Sequence, residues 1–504
     1  MVVPSPSAAM NGSWSSAPRA ARAPRARTDR RSTSPPMTSS SASAASSFGS
    51  TSRSPAQVSS ARAEVPGGCD HWATTPAPPM AMTTITTSQT SPRTAKRAVR
   101  RAVAITRGAY RARSPGRMPS GAVASALMAQ ETPSPTREDV RGPYARVDGA
   151  RPGGPLPDAL IRLLQQMPKA ELHLHLDGSV RVDTALDLAR TRGIDAPTTW
   201  TGMSAALVGP PQGPDQAELL RAFDLPIALM QDAEALERIT MDLVEAKAAD
   251  NVRYAEIRWG PLLHTARGLS LRDGIGAVVA GAERAAREQG ITVRLICTAI
   301  RSHDPRDNVV LAETAALFRD RGLTGWDLAG QEARFPDPMT HALAFEAARA
   351  GGLRITVHAG EWGGAPQVRR ALSVDPERIA HGPGAADDPR LMAELRARGV
   401  VLDLCPTSNA QATIVPTVAA HPIARLHRAG NPVTLSTDDL TVSDLTLSEE
   451  YRNAVERIGL TLPELWAIDR RALDVAFADE ATLAPLRTAF DAWAAGIPEL
   501  APRA

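Results

Sequence analysis

The chain has 504 residues, 22% of them charged, and a net charge of +3. That charge is uneven: residues 1–127 hold 17 Lys and Arg against 3 Asp and Glu, a net of +14 that leaves −11 for the remainder. No stretch approaches the roughly 20 apolar residues of a membrane span, and three cysteines (Cys69, Cys297 and Cys405) without a CxxC pair exclude a disulfide scaffold and a Cys-ligated zinc site.

Residues 1–127 are Ser, Ala, Pro, Arg and Thr with few large apolar side chains. Such a segment cannot bury enough surface to offset its chain entropy, so disorder is expected. A basic arm suits nucleic acid or an anionic membrane, but the absence of a specific role is the favoured expectation. Met128 opens MAQETPSPTRED, an ordinary soluble N-terminus, so an over-extended start is an alternative explanation of the arm. No apolar run follows the Arg30-Arg31 pair, so an export signal is rejected. A reducing cytoplasm fits the cysteine usage. Residues 128–157 read as a linker and 158–500 as a single barrel, a fold of about 250 residues with insertions up to about 400.

Apolar, β-rich runs follow at 170–177, 252–259, 293–300, 325–330, 353–358, 378–381, 400–405 and 432–437. Between them lie segments with helical periodicity at 271–288, 308–321, 339–350, 389–398 and 422–429. Gly290, Gly322, Gly351, Gly399 and Gly430 follow these five as C-cap signals. Strands alternating with helices imply parallel βαβ units, and eight of them imply a closed (β/α)8 barrel. A GxGxxG after the first strand is missing, which weakens a dinucleotide-binding fold. Between strands 1 and 2 a long insertion carries helical runs at 180–192, 217–230 and 233–249, with a Pro/Gly stretch at 209–214. It is expected to wall the catalytic face, with Leu219, Leu220 and Phe223 turned inward or packed as ordinary helix core. Three helices, 445–457, 462–474 and 480–494, are expected to close the barrel, and the last residues to fray.

Five stretches concentrate His, Asp and Glu: 171–179, 328–332, 358–361, 380–384 and 436–440. His173 and His175 are two apart, so on a strand both imidazoles face one side. His358 ends strand 5 and is the expected third nitrogen ligand, while Glu361 in the next loop is free to handle protons. His381 ends strand 6 as a fourth ligand or as an electrostatic group beside the ligands. Asp438 and Asp439 end strand 8, one as ligand and one as substrate contact. Both reach the lumen only if the strand twists or breaks there. Each alone has a bland reading, as a satisfied histidine, a solvated carboxylate or a turn. Together, three imidazoles and a carboxylate suit one Zn²⁺ with a position left for water. Such an ion lowers the pKa of bound water from about 15.7 towards about 7. The absence of HExxH disfavours a zincin protease, and HxE…PCxxC is absent too.

From Pro168 to Glu450 the chain resembles the adenosine deaminase family of the amidohydrolase superfamily. The resemblance is carried, in order, by PKAELHLHLDGS, YAEIRWGP, DLAGQE, HAGE, His381-Gly382, CPTSN and STDD. It implies a distorted barrel with one zinc and hydrolytic removal of a purine 6-amino group, most simply adenosine or 2′-deoxyadenosine to its inosine and ammonia. It implies that His173, His175, His358 and Asp438 are the zinc ligands, with His175 also beside the substrate. Glu361 resembles the proton donor to purine N1, and His381 the residue orienting the hydroxide. Asp438 would also take the water's proton and Asp439 contact N7. The Gly330 backbone would contact N3, and Asp177 the ribose. Ala380, Ser436 and Leu440 stand where many members have Gly, Asn and Pro. These departures remove no catalytic group but leave the substrate open. A 6-aminodeoxyfutalosine deaminase is the alternative substrate reading, and a non-catalytic binding protein on the same fold the alternative class. The implied partner is a small purine nucleoside, with neither membrane nor nucleic acid expected; the oligomeric state is open.

Overall fold

The computed structural model describes residues 156–213 and 219–500. The arm expected over 1–127, most of the linker and the final four residues lie outside them. So do residues 217 and 218 of the expected helical run.

Eight strands form the sheet: β1 (Lys169–His175), β2 (Val252–Trp259), β3 (Thr292–Ile300), β4 (Leu323–Ala329), β5 (Arg354–His358), β6 (Arg378–Ala380), β7 (Val401–Leu404) and β8 (Val433–Leu435). They pair in chain order, each neighbour parallel. The ring closes just beyond β8. Leu174 bridges Asp438, the His175 N–H donates to the Asp438 carbonyl at 2.7 Å, and the Asp438 N–H donates to the His173 carbonyl at 3.1 Å. The expected (β/α)8 barrel is therefore the fold, and each of the eight apolar runs overlaps one of its strands.

Helix α1 (Asp158–Gln166) precedes β1. The insertion after β1 carries α2 (Val182–Arg192), α3 (Trp200–Leu207) and α4 (Asp224–Leu229) before α5 (Ala233–Ala249). Then come α6 (Leu271–Gln289), α7 (Pro305–Ala316), α8 (Ala342–Ala350), α9 (Gly364–Ala371), α10 (Pro389–Arg398), α11 (Pro406–Gln411) and α12 (Ile423–Arg428). Helices α13 (Leu447–Asn453), α14 (Leu462–Val475) and α15 (Glu480–Ala495) complete the described chain. Among the described residues no helix is long and apolar enough to cross a membrane.

Several boundaries differ from expectation for local reasons. Helix α7 starts earlier than 308, because Asp304 caps it through the Arg306 N–H and Pro305 fits its first turn. The run at 217–230 is broken into a 3-10 turn, Arg221–Phe223, and α4, whose Pro226 has no N–H to continue a ladder. Within it Leu219 is buried, whereas Leu220 and Phe223 are only partly so. Four of the five C-cap glycines are left-handed as expected, but Gly351 stays helical and Gly352 makes the turn at φ +79°.

The barrel floor is a ladder of buried charge. Arg378 pairs with Glu256 and, at 3.0 Å, with Asp403, and it stacks 3.7 Å over the Phe477 ring. Arg258, also fully buried, spans from Asp403 at 4.0 Å to Asp327 at 3.4 Å, and donates to the Leu172 carbonyl at 2.8 Å. Such groups are stable in a low-dielectric interior only when paired, so the ladder fixes the lumen side chains under the site.

Candidate metal centre

The five charged stretches converge at the C-terminal mouth of the barrel. His173 Nε2 and His175 Nε2 lie 3.3 Å apart, as two residues on one strand face should. His358 Nε2 is 3.2 Å from His175 Nε2, and Asp438 Oδ1 is 3.0 Å from His173 Nε2 and 3.3 Å from His175 Nε2. Donors about 2.0–2.1 Å from a tetrahedral ion would lie about 3.4 Å apart. The spacing of these three imidazoles and one carboxylate therefore fits a divalent ion at their centre. His173, His358, His381 and Asp438 likewise present ligand atoms all within 4.8 Å of one another.

Backbone geometry delivers the carboxylate. Asp438 has φ +70°, in the left-handed region that non-glycine residues rarely occupy. This is the strand break that lets Asp438 and Asp439 both turn into the mouth, where both are buried. His381 is similarly left-handed at φ +68°. Its Nε2 lies 3.7 Å from Asp438 Oδ2 and 3.9 Å from Glu361 Oε1, so it stands beside the carboxylate rather than among the Nε2 trio. Glu171 holds the tip of β8 by accepting the Thr437 N–H at 2.9 Å and its hydroxyl at 2.6 Å. Ser436 accepts the His173 N–H at 3.2 Å.

A second layer orients these groups, and most of it was not assigned a role from the sequence. Asp327 on β4 sits 2.9 Å from His358 Nδ1, which holds the proton there and turns the Nε2 lone pair to the centre. Burial opposes the Asp327 charge, but His358 and Arg258 outweigh it and hold the carboxyl well below its usual range. Arg301, buried at the end of β3, donates to the His358 carbonyl at 2.8 Å. Ser408 donates to Asp438 Oδ2 at 2.7 Å. Glu332 accepts three loop amides, Gly360 at 2.8 Å, Trp362 at 2.9 Å and Gly363 at 3.2 Å, and so clamps the loop that carries Glu361. Gly360 itself is left-handed, and a Cβ there would come 2.4 Å from Val368. Asp327 and Glu332 fall inside DLAGQE, so that motif was a usable signal. Nothing adjacent in sequence marks His421, described below.

The acids divide by environment. Burial, with Asp438 and Glu332 nearby, pushes the Glu361 carboxyl well above its ordinary value, and Glu361 keeps 17% of its side chain exposed. Burial, with Asp438, Asp177 and Glu361, pushes Asp439 up as well. Asp438 goes the other way: burial opposes its charge, but His173 and His381 hold it well below the usual range. The site thus pairs a fixed anion with two acids able to keep protons, the split that acid–base chemistry needs. Asp177 and Gly330 flank the mouth, past the ends of β1 and β4. Gly178 is packed so closely that a Cβ would lie 1.7 Å from Asp439 Oδ1.

The sequence model of the family described as Adenosine deaminase matches residues 168–493. The chain belongs to the adenosine deaminase family. It is accordingly an enzyme, a hydrolase acting on C–N bonds of purines. It is 37% identical over 319 residues to adenosine deaminase of Vibrio vulnificus, covering 62% of this chain and 96% of that one. It is 39% identical over 333 residues to adenosine deaminase of Mycobacterium ulcerans, covering 62% and 91%. Among solved structures it is similar to a zinc-bound amidohydrolase from Burkholderia ambifaria, with TM-score 0.63, 30% identity and coverage of 68% and 95%. The N6-methyl-AMP deaminase of Arabidopsis thaliana has TM-score 0.60, 30% identity and coverage of 67% and 100%. The matched span of this family member takes in all five charged stretches.

Proposed function

We propose that the protein is a zinc-dependent deaminase of a 6-aminopurine nucleoside, converting adenosine or 2′-deoxyadenosine and water to the inosine and ammonia. The observation that carries this reading is the convergence of His173, His175, His358 and Asp438 beside Glu361, whose carboxyl burial pushes well above its ordinary value. Those four residues would hold the ion, one per chain. When bound, it supplies a hydroxide nucleophile at neutral pH. Glu361 donates its proton to purine N1, which draws electrons from C6. His381 orients the attacking oxygen and offers charge stabilisation at C6. Asp438, held anionic, accepts the proton that water gives up. Asp439 retains a proton and can donate it to an acceptor such as purine N7, and the Gly330 backbone faces N3.

Buried polar groups near the end of β1 support a nucleoside. Both ring nitrogens of His264 are buried without a hydrogen-bond partner, and Asp177 Oδ1 has only His175 Nδ1, 3.7 Å away. Burial pushes His264 down to about 4, so its ring is neutral, and the charge acting on it is the carboxylate of Asp177. A neutral imidazole both donates and accepts, which matches a sugar hydroxyl. A phosphate would meet carboxylates, and free adenine would leave these atoms unpaired. Free, buried Cys297 and Cys405 are in keeping with a reducing cytoplasm. The test is turnover of adenosine, 2′-deoxyadenosine, adenine, AMP and 6-aminodeoxyfutalosine by zinc-loaded protein, followed by loss of the adenine absorbance. The two nucleosides should lead. Failure to turn over any 6-aminopurine would sink the reading.

A further inference from the structure

A chain of hydrogen bonds behind His381 fixes which of its nitrogens carries the proton. It starts at a group that can only donate. The Ile423 N–H, at the first turn of α12, points at His421 Nδ1 at 3.3 Å. The leading amides of a helix have no partner within the helix, so this one is available. His421 Nδ1 must therefore be the acceptor, and the His421 proton sits on Nε2. His421 Nε2 lies 3.1 Å from Asn409 Oδ1, which accepts it. That leaves the Asn409 amide nitrogen as donor, 3.0 Å from His381 Nδ1. His381 Nδ1 is thus an acceptor, and its proton is on Nε2, facing Glu361 Oε1 and Asp438 Oδ2. All three side chains are buried, at 3% exposure or less, so water does not compete for these bonds.

We infer that Asn409 and His421 are positioning residues that lock His381 as the neutral Nε2–H tautomer, so that His381 presents a hydrogen-bond donor, not a lone pair, to the reacting centre. Its part in turnover rests on the deaminase reading above, whereas the tautomer does not. A donor there stabilises the attacking oxygen and the charge that develops at C6, and leaves proton removal to Asp438. The mirror tautomer would place a lone pair against the Asp438 carboxylate and be repelled by it.

The direct test is long-range ¹H–¹⁵N correlation of the imidazoles in full-length, zinc-loaded protein with ¹⁵N-labelled histidine. His381 and His421 should both show a protonated Nε2 and a bare Nδ1. A proton on His381 Nδ1 in the unaltered protein overturns the inference without any variant having to fold. Asn409→Asp, which can only accept, should move the proton to Nδ1. It should lower kcat on adenosine about 100-fold or more, the scale of losing one well-placed donor, with KM within about threefold and zinc content unchanged. His421→Phe should lower kcat in the same way. His421→Gln should restore much of it, because its amide can still donate to Asn409. Unchanged kcat in Asn409→Asp, or equal loss in His421→Phe and His421→Gln, contradicts the relay. A parent enzyme inactive on every 6-aminopurine would instead count against the deaminase reading, while the spectrum still reports the tautomer.

Discussion

Asp327→Asn separates the contribution of the ligands from that of the carboxylate behind them. Asp327 is fully buried, with Oδ2 2.9 Å from His358 Nδ1 and 3.4 Å from Arg258. Asn keeps the shape but replaces one acceptor oxygen by a donor. With its oxygen in the Oδ2 place, on His358, Arg258 and Thr298, the amide N–H₂ meets the Leu328 N–H, which donates to Oδ1 at 2.8 Å. With its oxygen in the Oδ1 place, the N–H₂ meets the Arg258 guanidinium and the Thr298 hydroxyl, and the His358 Nδ1–H loses its nearer acceptor. That loss is worth about 10–100-fold in metal affinity, or about 1.4–2.8 kcal/mol. In either placement Arg258 loses a paired charge, which resembles breaking a buried ion pair, about 3–5 kcal/mol. Arg258 keeps the Leu172 carbonyl at 2.8 Å and Asp403 at 4.0 Å, so the lower end of that range applies. Zinc affinity measured by chelator competition should therefore fall at least about tenfold, and urea unfolding of the metal-stripped protein should show a loss of about 3 kcal/mol. Zinc affinity within twofold of the parent, together with an unchanged unfolding midpoint, would refute the orienting role.

Glu361→Gln should keep zinc and lose most turnover, whereas His358→Ala should lose the zinc; the reverse pattern in metal analysis would exchange their roles. His264→Phe should raise KM for adenosine about tenfold, the size of one buried hydrogen bond, and leave any turnover of adenine unchanged; equal effects on both would place His264 outside the sugar contact. Asp469, buried against the Tyr451 hydroxyl, has its carboxyl pushed up to about 7 by burial. The folded state therefore holds a proton that the unfolded chain releases near the ordinary value of 3.8, so this group's stabilisation is present below that value and lost as pH rises to about 7. Relative to the parent, Asp469→Asn, which mimics the protonated acid, should be more stable at pH 8 than at pH 5 by at most about 3 kcal/mol. Parallel stability–pH curves for the two would show that Asp469 is ionised throughout.

Strand and helix periodicity, and the order of the His, Asp and Glu stretches, are written locally. For that reason the eight strands, the barrel and the ligand candidates were readable along the chain. A period of two places His173 and His175 on one face whatever surrounds them, and a strand end followed by a loop places His358 and Glu361 at the mouth. The break at Asp438 was legible only as a condition; the left-handed φ that meets it comes from the closure of β1 onto the end of β8, a contact across more than 260 residues. Protonation was likewise out of reach. The Glu361 carboxyl is pushed up and that of Asp438 down because of which charges fold against each. Likewise, His381 carries its proton on Nε2 because of an amide at the start of α12. These are distances between residues far apart in sequence, and only packing sets them.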